Sequence, residues 1–128
     1  MKKFNSFPMK LVFIMVICIT LFLLNSIHYK YLAHDRIYQV IALQGADLSN
    51  ARIVFDEYDY FESGYVMEVY YDDDPDIRYR YIFERPRDQV YVYASLGNAS
   101  LDLTDRKGKY RYFFHTYFDY KGDIKKHE

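Results

Sequence analysis

The sequence predicts an α+β fold in which an N-terminal transmembrane helix leads into an amphipathic helix packed on an antiparallel meander of four or five strands. Three observations carry this expectation. Residues 11–24 form an unbroken apolar run behind Lys2, Lys3 and Lys10. Residues 29–44 repeat apolar side chains at helical spacing. From residue 51 onward the chain is rich in Tyr, Phe, Val and Ile, which suit a pleated, half-buried surface.

In the apolar run only Cys18 and Thr20 are mildly polar. Counted from Pro8 to Ile27, the segment as a helix spans about 30 Å, the thickness of a bilayer's hydrocarbon core. A cleaved signal peptide would show small residues in an A-x-A-like pattern after the run. The exit instead reads Asn25-Ser26-Ile27-His28-Tyr29. Cys18 follows Val16-Ile17 rather than the small residues that precede a lipid-modified cysteine. The segment therefore reads as an uncleaved anchor that contacts the lipid bilayer over residues 9–27.

Lys and Arg near a span tend to stay on the cytoplasmic side. Three lysines precede this span, while Lys30 and Arg36 follow it, partly offset by Asp35. The N-terminus is thus expected in the cytoplasm, with a single pass through the cell membrane and the remainder extracytoplasmic. Setting the three N-terminal lysines aside leaves 14 basic residues against 18 acids, a formal charge of −4 for the exported part. No basic footprint for nucleic acid is present. The single cysteine lies in the anchor, so no disulfide staples the exported part. About 100 residues remain there, enough for one core and not two. The expected division is a cytoplasmic tip and anchor at 1–28, an α+β domain at 29–120 and a frayed tail at 121–128.

The amphipathic helix presents Ala33, Ile37, Val40 or Ile41, and Gln44 on one stripe, flanked by Leu32 and Leu43, and Gly45 supplies a C-cap. Strands are expected at 51–60, 65–71, 77–85 and 90–95, with turns at 62–64, 72–76 and 87–88. The second and third strands fix a register. Pairing Tyr71 with Ile77, Val69 with Tyr79, Met67 with Tyr81 and Tyr65 with Phe83 places all eight on one face. The same register sets Glu68 against Arg80, Val66 against Ile82 and Tyr70 against Arg78 on the other, so facing charges are opposite. A slip by one residue would mix the faces. After a loop at 96–109, the aromatic segment 110–118 reads as a fifth strand buried on two sides or as a segment meeting the membrane surface.

Residue types that carry chemistry are sparse in pattern. Asp72, Asp74 and Asp76 occupy positions one, three and five of a calcium-loop pattern, which then breaks at Ile77 and Phe83 where Gly and Glu are required. They are the only metal candidates, and a solvated hairpin turn explains them more simply. His28, His34, His115 and His127 lack zinc-ligand spacing. Nucleophile elbows, phosphate-binding glycine loops and HExxH are absent. No catalytic residue and no cofactor is expected.

The order of features is similar to a known family. Gln44-Gly45, Gly64-Tyr65, the run Val69-Tyr70-Tyr71-Asp72-Asp73-Asp74-Pro75 and Tyr79-Arg80-Tyr81 resemble the domain of unknown function 3139, found in small anchored proteins of Gram-positive bacteria. The resemblance implies location rather than mechanism, since the family carries no assigned activity. In outline the expected domain is similar to cystatin-like folds. The leading expectation is a non-enzymatic binding or envelope-associated module with a protein or envelope partner. The alternatives are a calcium-responsive domain using the acidic turn and a small cell-envelope hydrolase.

Overall fold

Residues 6–101 and 107–128 are described by a computed structural model, in which the apolar run and the amphipathic stripe form one unbroken helix, α1 (Ser6–Leu43). Lys2, Lys3 and residues 102–106 of the long loop lie outside the described residues. A 38-residue helix is about 57 Å long. Its first half is not packed: from Phe7 to His28 every side chain is exposed. Its second half buries Ala33, Ile37, Val40 and Ile41 at 3% exposure or less. Those residues recur at spacings of three and four, as the stripe requires. The N–H of Gly45 donates to Ala42 O and that of Ala46 to Ile41 O, while Gly45 sits at φ +75°. These two bonds close a Schellman motif, and glycine enters that left-handed conformation without a Cβ clash.

Behind a short 3-10 turn, Leu48–Asn50, come β1 (Ala51–Asp59), β2 (Gly64–Tyr71), β3 (Asp74–Glu84), β4 (Gln89–Leu96), β5 (Ala99–Ser100), β6 (Phe114–Phe118) and β7 (Ile124–His127). They form one antiparallel sheet in the order β1-β2-β3-β4-β6-β7, with β5 paired beside β4. The α+β class holds, and the sheet is larger than the four or five strands expected. The added strands are β5, only two residues long, and β7, whose Lys-rich sequence carries little strand signal. The tail expected to fray at 121–128 is paired instead over β7: Lys126 faces Tyr117, and His115 and Glu128 exchange backbone hydrogen bonds of 2.8 Å.

The β2–β3 register agrees with the charge argument at six positions, from Tyr65 opposite Phe83 to Tyr70 opposite Arg78. It departs at the turn. Tyr71 faces Asp74 rather than Ile77, the hairpin closes over Asp72 and Asp73, and β3 bulges between Asp74 and Arg78. Pro75 has no N–H to give a ladder, which is why the irregularity falls there.

The core lies between α1 and one sheet face, built from Met67, Val69, Tyr79, Phe83, Val92 and Phe114 among others. The aromatic segment 110–118, expected as a two-sided strand or as a segment meeting the membrane surface, is a strand only in part. Only Phe114–Phe118 is a strand, with Phe114, Thr116 and Phe118 turned to the core and His115 and Tyr117 on the opposite face. Tyr110, Tyr112 and Phe113 pack against the core from a non-strand segment. Phe113 adopts φ +58°, a conformation sterically disfavoured for a side chain of this size, where the chain turns into β6.

Candidate functional site

Three polar arrangements could carry chemistry, and each is built by a different part of the fold. The first is a buried tyrosine network under the C-terminal end of α1. Tyr81 Oη donates to Gln44 Oε1 at 2.6 Å, and Gln44 Nε2 donates to Arg111 O at 2.6 Å, which fixes the amide orientation. With its proton committed to Gln44, Tyr81 accepts from Tyr71 Oη at 2.6 Å. Next to it, Tyr79 Oη donates to Asp74 Oδ2 at 2.7 Å and accepts from Tyr110 N at 3.0 Å. Asp74 Oδ2 also accepts from Lys109 N at 2.8 Å. Desolvation pushes the phenols of Tyr71, Tyr79 and Tyr81 well above their ordinary value, reinforced at Tyr79 by the hydrogen bond to Asp74. A buried neutral phenol with both its bonds made is structural, and this network ties the helix end, the hairpin and the long loop together.

That network decides the fate of the acidic turn. Asp74 is 7% exposed and committed to the loop, while Asp72 and Asp76 are exposed. Asp73 accepts from Lys109 Nζ and Tyr110 Oη, and these bonds, Lys109 first, hold its carboxyl below the usual range. The structure does not bring Asp72, Asp74 and Asp76 together. Among the described residues no group of three or more His, Cys, Asp or Glu side chains is placed to hold a metal ion. The histidines are equally dispersed: His34 bonds Asp56 at 2.7 Å, His115 stacks edge-on to Tyr91 and His127 meets Arg111.

The second arrangement is a groove of about 490 Å³ where α1 meets the sheet's lower end, lined by Phe22, Asn25, Tyr29, Tyr58, Tyr60 and Arg85 among others. On its wall, Asp56 Oδ1 accepts from Tyr65 Oη at 2.7 Å and bonds His34 Nε2 at 2.7 Å. Burial and the bond to Asp56 drive the Tyr65 phenol well above its ordinary value. This trio pins α1 to β1. The groove's other acid, Glu57, is the next residue along an extended strand, where successive side chains point to opposite faces.

The third arrangement is the sheet face that α1 leaves open. Cross-strand alternation places Glu68, Tyr70, Arg78, Arg80, Tyr91, Tyr93, His115 and Tyr117 there. Val66 and Ile82 lie at 0% and 2% exposure beneath this canopy of long side chains. Arg80 reaches Asp59 at 3.1 Å, Glu68 at 3.4 Å and Glu62 at 3.5 Å, and sits 5.6 Å from the Tyr93 ring centre. Arg52 stacks on Tyr70 at the β1 edge. The face is aromatic and rich in paired charge, a composition suited to a contact surface. The opposite-sign pairing of β2 and β3 made part of it readable beforehand. Tyr91, Tyr93 and Tyr117 joined it only once β4 and β6 were placed.

Fold and site together define a small α+β protein carried on one N-terminal helix long and apolar enough to cross a membrane, by length and composition. The chain belongs to the family described as protein of unknown function (DUF3139), whose model matches residues 1–81. The match covers α1, β1, β2 and most of β3, and it includes Gln44, Gly45, Tyr71, Asp74, Tyr79 and Tyr81, whose structural work is the network above. Tyr91, Tyr93, His115 and Tyr117 lie beyond it. No curated protein matches the chain, and no solved structure does.

Proposed function

We propose that this protein is a non-enzymatic binding module of a bacterial envelope, tethered by α1 with its N-terminus in the cytoplasm and its sheet outside the cell membrane. The orientation rests on Lys2, Lys3 and Lys10 ahead of the span. The observation that carries the binding reading is the open sheet face. A sheet that covers one side with its own helix and leaves Tyr70, Tyr91, Tyr93 and Tyr117 on the other offers large, rigid contact area with few rotamers to freeze. Its hydrogen-bonded acids and arginines supply polar contacts around that aromatic patch.

The test is site-specific photocrosslinking in the native host with the full chain. A photoreactive residue at Tyr91 or Tyr70 is expected to give a reproducible adduct with an envelope component, whereas the same residue at Tyr120 gives none. Equal labelling at all three positions, or none at any, removes the open face as the recognition surface. Protease accessibility of the sheet from outside intact cells tests the orientation independently.

A further inference from the structure

We propose that the end of the sheet nearest the apolar half of α1 sits in the headgroup layer of the bilayer that α1 crosses, with Phe61 pointed toward the acyl chains and lipid filling the groove. This rests on α1 being the membrane span. The first observation is depth. Tyr60 and Tyr58 share the groove with Phe22 and Asn25, and Arg85 Nη1 donates to Asn25 Oδ1 at 3.0 Å. Phe22 belongs to the apolar run, two residues before its end at Leu24. Because α1 continues unbroken from Ser6 to Leu43, no hinge separates the run from the sheet. Placing residues 11–24 in hydrocarbon therefore brings the β1–β2 turn to the membrane surface by geometry alone.

The second observation is the chemistry of that end. Phe61 is 101% exposed and Tyr60 82%, both at the tip of the β1–β2 turn, and Tyr31 on α1 is 77% exposed. Burying a phenylalanine of this exposure is favourable, and nothing among the described residues supplies the burial. Tyrosines and basic residues favour the interface, where the ring is half in hydrocarbon and the polar tip in the headgroups. Lys30, Arg85 and Arg87 stand at this same end. The nearby acids are largely occupied: Asp56 by His34 and Tyr65, Asp59 and Glu62 by Arg80. The occupant is thus phospholipid with anionic headgroups, from the same membrane.

The third observation limits how deep the turn goes. Irregular backbone is not tolerated bare in hydrocarbon. Asp59 Oδ1 accepts from Phe61 N at 2.8 Å and from Glu62 N at 3.4 Å, so those donors are met inside the turn. The turn can therefore lie among headgroups while only the Phe61 ring reaches further.

The chain contains no tryptophan, so one introduced indole reports alone. The full-length Phe61→Trp protein would be reconstituted in phosphatidylcholine and phosphatidylglycerol vesicles containing lipids brominated at shallow or deep acyl positions. The expected result is blue-shifted emission, lost most strongly to the shallow bromines. Asn98→Trp, exposed on the β4–β5 turn at the opposite end of the sheet, should emit as a hydrated indole that neither lipid quenches. Phe61→Trp emission matching Asn98→Trp overturns the proposal, as does a blue shift without bromine quenching, which would assign the turn to a protein contact. Tyr60→Trp repeats the reading should Phe61→Trp express poorly. Phe13→Trp, quenched by deep bromines, checks the span itself. Its failure overturns both the anchor and this inference, whereas its success with an unquenched Phe61→Trp overturns this inference alone.

Discussion

Asp74 shows how a side chain acquires its role from neighbours distant in sequence. Its carboxylate satisfies both the Tyr79 hydroxyl and the Lys109 N–H beneath the long loop. Asp74→Ala leaves two donors without that acceptor and is expected to destabilise the full-length protein by about 2–3 kcal/mol in urea unfolding in micelles. A loss of less than about 0.5 kcal/mol would mean that water replaces the carboxylate without penalty. The tyrosines make a second residue-scale prediction. The Tyr110 phenol is pushed up to about 12, first by its hydrogen bond to Asp73 and then by desolvation. Tyr65, Tyr71, Tyr79 and Tyr81 are raised further in the same direction. A folded-state value above the unfolded one means stability in full below the unfolded phenol value near 10, falling as pH rises through about 12. Titration followed at 295 nm is expected to show these five phenols ionising late and together with unfolding. Smooth ionisation of all 16 tyrosines with the fold intact would contradict the network.

At the scale of elements, two glycines separate backbone conformation from close approach. Gly45 needs its φ of +75° to close the Schellman motif, and a Cβ there would meet nothing within 4 Å. Gly45→Ala should therefore cost about 1 kcal/mol, all of it from the left-handed backbone. Gly64 opens β2 with no positive φ, yet a Cβ there would lie 2.6 Å from Phe83 O, a backbone atom of the neighbouring strand. Gly64→Ala must shift β3 and is expected to cost about 2–3 kcal/mol. Equilibrium unfolding of the two variants side by side checks the order, and a larger loss at Gly45 would refute this account of both positions. The two glycines share one sequence signal, a small residue at an element boundary, and only the packed sheet distinguishes their reasons.

For the whole molecule, the telling feature is that one helix is apolar and unpacked in its first half and buried against the sheet along one stripe of its second. The residues of α1 that pack on the sheet begin at Tyr29, and the side chains before it are exposed. The folding core therefore does not depend on the apolar half. A version lacking residues 1–28, exported by a cleavable signal, is expected to keep a cooperative thermal transition and the late-ionising phenols. Absence of a cooperative transition would show that α1 needs its apolar half to dock on the sheet. Arg36, 9% exposed and paired with Asp35 at 2.7 Å and Asp88 at 2.9 Å, is the buried charge that fixes the height of α1 against the β3–β4 turn. It entered the sequence reading only as a count toward orientation. Nothing in its local pattern announces burial, because Asp88 is 52 residues away.

What the sequence determined by itself were the features set by short-range periodicity. A run of apolar residues fixes a helix long and apolar enough to cross a membrane, a 3.6-residue stripe fixes which side of α1 is buried, and a two-residue alternation with opposite charges fixes most of the β2–β3 register. Tertiary structure decided what depends on partners far along the chain. The tail became β7 because β6 offered an edge whose backbone groups needed partners, a demand that the Lys-rich sequence does not encode. Asp74 left the acidic turn for the core because Tyr79 and the loop backbone lay within reach of its carboxylate. The open aromatic face exists because a single helix covers one side of a two-sided sheet, and which side that is follows from packing volume and chain connectivity rather than from any residue on the face itself.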